Sequence, residues 1–265
     1  EAGSNNGIFI DFMQKNLGVK VLGVEPSNLF VQASKNNIET INDYFNKDVA
    51  NKIISSHGQA DFFIANHTFS NIIDNIDFLE GVKLLLKSDG IFSMQTFYQK
   101  SVIEKNLLEN FTHEHLSYFY IKPLKSFFER NEMELFDVKF VPAKGGSIRC
   151  FIQKKGGPNK VSDSVADFIN DETKFELDNY KRHQTVRTFI NETKNEIHKV
   201  ILPIINNGGK IAAYGTSTGA TTFTFNYDLG KYLSFMVDDD EFRHALLSPF
   251  YSIPVVSPKK IKEEK

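Results

Sequence analysis

The chain has 265 residues, 41% of them hydrophobic, a formal net charge of -2 and a single cysteine, Cys150. That is enough for one large domain or two smaller ones with a proper core; the charge balance leaves no basic footprint for nucleic acid. One cysteine excludes an intrachain disulfide and a cysteine metal cage, no apolar run reaches the ~20 residues that cross a bilayer, and no signal-peptide pattern opens the chain. The expectation is a cytoplasmic protein with a small-molecule partner, without nucleic acid or membrane, as a monomer or weak homo-oligomer.

Glu1-Ala2-Gly3-Ser4-Asn5-Asn6-Gly7 reads as the glycine-rich turn that follows a first β-strand, the strand itself being expected upstream. Ile8, Phe9, Phe12 and Met13 then recur at helical spacing as far as Leu17. Residues 19–24 predict a buried strand that ends at Glu25-Pro26-Ser27. In a doubly wound sheet the glycines let backbone approach a ligand, and an acidic residue ending the second strand accepts ribose hydroxyls. Glu25 fits that role, and Pro26 suits the start of a helix over 29–35.

Asp61-Phe62-Phe63-Ile64-Ala65-Asn66-His67 predicts a further strand whose polar end lies at the carboxyl edge of the sheet, where such folds hold ligands. A helix over 76–87 follows, closed by Lys87-Ser88-Asp89-Gly90, and residues 91–95 predict the next strand. The densest group of proton-transfer residues comes next, in Phe111-Thr112-His113-Glu114-His115-Leu116-Ser117-Tyr118-Phe119. Two histidines beside a carboxylate offer a base that titrates near neutral pH. As an isolated triplet this is a weak motif, equally at home in a turn or a core.

Residues 147–153 predict a strand, and Lys154-Lys155-Gly156-Gly157-Pro158 is the best internal boundary, dividing the chain into 1–153 and 154–265. A helical stretch is expected over about 162–206, with Val165, Phe168 and Ile169, then Val186, Phe189, Ile190, Ile197, Val200 and Ile201, as core-facing positions. A strand over 210–215 runs into Thr216-Ser217-Thr218-Gly219, a turn that presents backbone N–H groups to a phosphate. Residues 233–237 and 253–258 resemble the second and closing strands of such a second, smaller α/β unit. Asp238-Asp239-Asp240 reads as a solvated strand end, since a hard cation gathers ligands from several directions.

Glu1-x-Gly3-Ser4-Asn5-x-Gly7, Gly23-Val24-Glu25-Pro26-Ser27, Ala65-Asn66, Leu85-Leu86-Lys87-x-Asp89-Gly90, His113-Glu114-His115-Leu116-Ser117-Tyr118-Phe119 and Gly145-Gly146-Ser147-Ile148-Arg149 occur in one order. It is the order found in S-adenosylmethionine-dependent sugar C-methyltransferases, and the chain resembles that family along nearly its whole length. The resemblance implies a Rossmann-like SAM-dependent methyltransferase domain followed by a second, smaller Rossmann-like domain that holds a nucleotide-sugar. It implies S-adenosylmethionine against Gly3, Ser4, Asn5, Gly7, Glu25, Pro26, Asn66 and His67. It makes His115 the base that removes a proton beside the ketone of a nucleotide-linked 4-keto-deoxysugar, with Glu114 holding or polarising it and His113 as secondary participant. Substrate contacts would come from Asn71, Thr112, Gly146, Ser147, Arg149, Tyr214, Gly215, Ser217 and Thr218.

The chain departs from the family at Thr112, where tyrosine is usual, at Asn71, where histidine is common, at Gln95, usually acidic, and at Gly219, often lysine. The family's zinc belongs to an N-terminal cysteine-rich module that this stretch does not contain, so no metal is expected here. Three other readings stand beside this one: a SAM-dependent O-methyltransferase, a non-catalytic nucleotide-sugar-binding relative, and a nicotinamide-dependent oxidoreductase built on the second α/β unit.

Overall fold

The computed structural model describes residues 1–264. Packing divides them into two compact units, Glu1–Ser101 with Leu116–Phe175, and Val102–His115 with the chain from Glu176 onward. The first unit contains α1 (Ile8–Leu17), β1 (Gly23–Val24), α2 (Phe30–Lys35), β2 (Thr40–Ile41), α3 (Lys47–His57), β3 (Ala60–Asn66), α4 (Asn75–Leu85) and β4 (Leu86–Phe97). The chain leaves it within α5 (Gln99–Glu104) and returns for α6 (Ile121–Arg130), β5 (Met133–Val141), β6 (Ser147–Lys154) and α7 (Asp163–Lys174).

β1 and β2 pair in parallel, as do β3 and β4, and the larger ladder runs β3-β4-β6-β5 with β6 antiparallel to both neighbours. Glu1–Gly3 joins the two ladders. The Ala2 N–H donates to the Ile64 carbonyl and the Val24 N–H to the Glu1 carbonyl, each at 2.9 Å. The spatial order is therefore β2-β1-(1–3)-β3-β4-β6-β5. Parallel neighbours need helical crossovers, supplied by α2, α3 and α4, whereas β5 and β6 need only the short turn at 142–146.

Phenylalanine fills the core. Phe63 lies 4.6 Å from Phe45 and 5.6 Å from Phe92 between ring centroids, and Phe78 lies 5.6 Å from Phe69, mostly in tilted or edge-on arrangements that suit ring quadrupoles. α3 and α4 are capped locally: Asn46 accepts from Val49 N–H at the start of α3, and Asp74 from Ile76 and Asp77 at the start of α4. α6 is capped from a distance. Glu172 of α7, 1% exposed, accepts the N–H groups of Ile121 at 2.6 Å and Lys122 at 3.0 Å, placing a carboxylate at the positive end of the helix.

Several expectations change. The α1 stripe faces solvent: Ile8 and Phe12 are 63% and 61% exposed, and the helix is held by Ile10 packing on Ala33 and Ile38. The ladder of the second strand covers Gly23–Val24, and residues 19–22 line a largely apolar cavity of about 880 Å³ with residues 60–64. Lys87–Gly90 is drawn into an irregular start of β4, with a register shift between the Ala60 and Phe62 pairings. Packing does not divide at 154–158 either. α7 stays with the first unit through Ser162 N–H to Phe136 carbonyl (2.7 Å) and Ser164 Oγ to Asp137 Oδ1 (2.8 Å).

The second unit holds α8 (Tyr180–Asn206), β7 (Ile211–Tyr214), α9 (Thr218–Asn226), β8 (Leu233–Val237), β9 (Val255–Val256) and α10 (Lys259–Glu263), with the three strands parallel in the order β7-β8-β9. The helical stretch expected over 162–206 is two helices. Glu176 takes a left-handed conformation after α7, Leu177 is buried, and Asn179 starts a new helix by accepting from Lys181 N–H. Val186 of α8 is buried, whereas Val200 is 66% exposed, so the late apolar positions are not all core. The segment 102–115 packs on α9, where Gly219 permits the approach: a Cβ there would lie 3.0 Å from that of Glu109. Among the described residues, no helix is long and apolar enough to cross a membrane.

Candidate functional site

In the first unit the carboxyl ends of β1, β3, β4 and the 1–3 segment converge. Gly3 and Gly7 have φ of +69° and +78°, the left-handed region that favours glycine. A Cβ on Gly3 would fall 2.3 Å from Thr68 Oγ1, and one on Gly7 3.0 Å from the Ala33 methyl, so both turns need a bare backbone. Asn5 is also left-handed, at +54°, a conformation that asparagine tolerates better than most residues.

Glu25, 7% exposed, closes this turn: its Oε2 accepts the Asn5 N–H at 2.8 Å and its Oε1 the Ser27 N–H at 3.0 Å. Asn42, which sequence reasoning missed, donates its amide to the Glu25 carbonyl at 2.8 Å. A carboxylate has about four acceptor positions, so two amide bonds leave capacity for ligand hydroxyls. Ser4 Oγ is buried without a hydrogen-bond partner among the described residues. Pro26 and Asn5 are exposed beside Glu25.

At the end of β3, Asn66 Nδ2 donates to Glu1 Oε1 at 3.1 Å, and Thr68 Oγ1 donates to the Ala2 carbonyl, so this loop and the glycine turn are tied together. His67 follows with φ of +52°. Its N–H donates to the Gln95 carbonyl at 2.7 Å, and its ring lies 3.1 Å from Gln95 Nε2 and 4.8 Å from the Phe97 ring centroid. Gln95, 7% exposed, also meets Arg149: its Oε1 accepts from Nε at 3.0 Å and Nη2 at 2.6 Å. In the sequence Gln95 stands out only as a departure from a family pattern. Ser147 begins β6 opposite Phe97, the Gly146 carbonyl just before it accepts the Tyr98 N–H at 3.1 Å, and Asn71, exposed, accepts from Ser70 Oγ at 2.9 Å. The loop after residue 115 is anchored here too, as Leu116 and Ser117 both donate to the Ser70 carbonyl.

The second unit carries Thr112, His113, Glu114 and His115. His115 Nδ1 lies 2.6 Å from the Asn110 carbonyl, an acceptor only, so Nδ1 carries the proton and Nε2 is the basic nitrogen of the neutral ring. Glu114 and His113 are exposed. The segment is fixed by Thr222 Oγ1, which donates to the Phe111 carbonyl at 3.0 Å, and Thr112 Oγ1 is buried without a partner among the described residues.

The turn after β7 brings Tyr214, Gly215, Ser217 and Thr218 together. Gly215 has φ of +94°, and Ser217 caps α9 by accepting from Ala220 N–H. Asp238 accepts from the Thr216 N–H and hydroxyl, Asp239 from the Tyr214 hydroxyl, and Arg243 pairs with both Asp240 at 3.3 Å and Asp238 at 3.4 Å. The Thr216 hydroxyl is the main reason the Asp238 carboxyl is held down to about 2, with the Asp240 N–H and Arg243 adding to it.

A family model described as a methyltransferase domain matches residues 1–137, and one described as a C-methyltransferase C-terminal domain matches 142–265. Among characterised proteins, the C-methyltransferase NovU of Streptomyces niveus is 28% identical over 98% of this chain, which spans only 62% of NovU's length. Among solved structures, a SAM-dependent methyltransferase from Anabaena variabilis shares 16% identity over 58% of this chain and 76% of its own, with a TM-score of 0.47. The plantazolicin methyltransferase BpumL, solved with a desmethylPZN analogue and SAH, shares 16% identity over 58% and 75%, with a TM-score of 0.45.

Proposed function

We propose, for a chain that belongs to the methyltransferase-domain family and continues into a C-methyltransferase C-terminal domain, that it is a SAM-dependent C-methyltransferase acting on a nucleotide-linked 4-keto-sugar. The observation that carries the cofactor assignment is the Glu25 carboxylate, buried and clamped between the Asn5 and Ser27 amides beside two glycines at positive φ, where a Cβ would be strained and crowded. Such a cradle fits a nucleoside: Glu25 would accept the ribose hydroxyls, while Gly3, Ser4, Asn5, Gly7 and Pro26 would border the remainder with Asn66 and His67. Bound there, S-adenosylmethionine would supply a methyl group on a sulfonium, an electrophile for a carbanion.

The chain's own task is to make that carbanion. A ketone acidifies the hydrogen on the neighbouring carbon, and His115, oriented by Asn110, takes that proton on Nε2 as the C–H electron pair moves into the enolate. His113 and Glu114 are secondary participants in this reading. Donors preset around the carbonyl oxygen would stabilise its developing charge. Asn71, Thr112, Gly146, Ser147 and Arg149 are assigned to the sugar, and Tyr214, Gly215, Ser217 and Thr218 to its diphosphate. NovU is named a C-methyltransferase, which favours carbon over oxygen as the acceptor.

The test is methyl transfer from labelled S-adenosylmethionine to a panel of nucleotide-linked 4-keto-sugars, with His115→Ala as control. Transfer to carbon, together with solvent deuterium entering the same carbon in the absence of the cofactor, is expected of the native protein and not of the variant. A folded protein that binds the cofactor yet transfers to oxygen, or a His115→Ala variant that still takes up deuterium at the native rate, refutes the reading. Thr112 and Asn71, which lack the acid–base groups of tyrosine and histidine, favour as second reading a relative that binds the nucleotide-sugar without turning it over. Binding without transfer or exchange would select it.

A further inference from the structure

His67, Gln95 and Arg149 form a relay in which chemistry leaves one arrangement. The Arg149 guanidinium has donors and no acceptor, so the group receiving its two bonds must be the Gln95 carbonyl oxygen, at 3.0 and 2.6 Å. The other end of the amide is then the NH2 group, which can only donate, and it meets His67 Nε2 at 3.1 Å. His67 Nε2 is therefore the acceptor, and the ring proton of the neutral imidazole resides on Nδ1. The three residues are held in register. Arg149 and Gln95 are direct partners across β4 and β6, Gln95 pairs with Asn66 across β3 and β4, and His67 is joined to Gln95 a second time through its own N–H.

The backbone supports the same conclusion. A non-glycine residue at φ +52° is strained, and such strain persists where surrounding contacts over-determine it, often at functional positions. Here the contacts are the Gln95 carbonyl, the Gln95 amide and the Phe97 ring.

We propose that Gln95 is a positioning residue: anchored by Arg149, it fixes His67 as the neutral Nδ1–H tautomer. Neither ring nitrogen then offers a lone pair to a reacting proton. Resting on the methyltransferase reading above, His67 offers that site a hydrogen-bond donor and not a base. An acidic residue at position 95 would invert the arrangement, since a carboxylate facing both Arg149 and His67 calls for a proton on Nε2.

Long-range 1H–15N correlation NMR of the ligand-free protein near neutral pH reads the tautomer directly, with the His67 signals assigned by their loss in His67→Asn. The expected spectrum has a protonated, pyrrole-type Nδ1 and an unprotonated, pyridine-type Nε2. A proton on Nε2, alone or on both nitrogens, overturns the proposal, and that outcome is read on the native protein. In Gln95→Glu the proton is expected to move to Nε2 or to occupy both nitrogens; a folded variant that keeps the Nδ1–H form overturns the positioning role of Gln95. Because no ligand is present, failure here is distinct from failure of the methyltransferase reading, which the transfer assay decides.

Discussion

Replacing Glu25 by alanine removes the acceptor at the centre of the glycine-rich cradle. Each carboxylate oxygen holds one backbone amide, Asn5 at 2.8 Å and Ser27 at 3.0 Å, and has about one acceptor position left. Asn5 and Ser27 are exposed, so water takes over their amides and the stability cost stays near ~1 kcal/mol. Binding loses more. A hydrogen bond to a charged acceptor contributes about 1.5–3 kcal/mol, and two ribose hydroxyls at the lower end give about 3 kcal/mol, roughly a hundredfold in Kd. Glu25→Gln keeps one acceptor oxygen but turns an NH2 group toward one of the amides, so roughly tenfold is expected. Calorimetric titration with S-adenosylhomocysteine, run beside thermal melts, separates the two effects. A folded Glu25→Ala protein with unchanged affinity would refute the reasoning, because the carboxylate would then be a loop clamp alone.

Glu172→Ala leaves the Ile121 and Lys122 amides without their acceptor, one of them fully buried; a loss of about 2–4 kcal/mol should lower Tm by on the order of 10 °C, with Glu172→Gln less affected. Asp238 is held at about 2 against an ordinary 3.8, chiefly by the Thr216 hydroxyl, so its contribution is complete above pH 3.8 and disappears as pH falls through about 2; acid-unfolding curves of Asp238→Asn should lack that component. Burial pushes the Cys150 thiol up, so iodoacetamide should leave it untouched in the native protein and label it only on unfolding, which mass spectrometry reads.

The turns are legible in the sequence because their chemistry is local. Gly3 and Gly7 hold positive φ at the positions where the glycines imply close approach, and Glu25 sits at the strand end where an acceptor is expected. Contacts set by tertiary packing are not legible. Ile8 and Phe12 have faultless helical spacing, yet α1 is secured by Ile10, since periodicity names a face without saying what lies opposite. Nothing near Ile121 announces its cap, because Glu172 is 51 residues away. The same holds for His115, whose Nδ1 meets a backbone carbonyl five residues back that the His113-Glu114-His115 triplet does not announce. Gln95 needs both neighbouring strands in place before its amide can be read at all.

The polypeptide passes from one compact unit to the other three times, after Ser101, after His115 and after Phe175. A single proteolytic nick therefore cannot separate the units, and a fragment ending at Phe175 would carry fourteen residues, Val102–His115, stripped of the helix they pack on. During synthesis the first unit must wait, with α6, β5, β6 and α7 still to come, while a loop belonging to its neighbour emerges. Recombination that exchanges C-terminal units among relatives would have to exchange this internal segment as well, so two distant stretches of the gene are bound to diverge together.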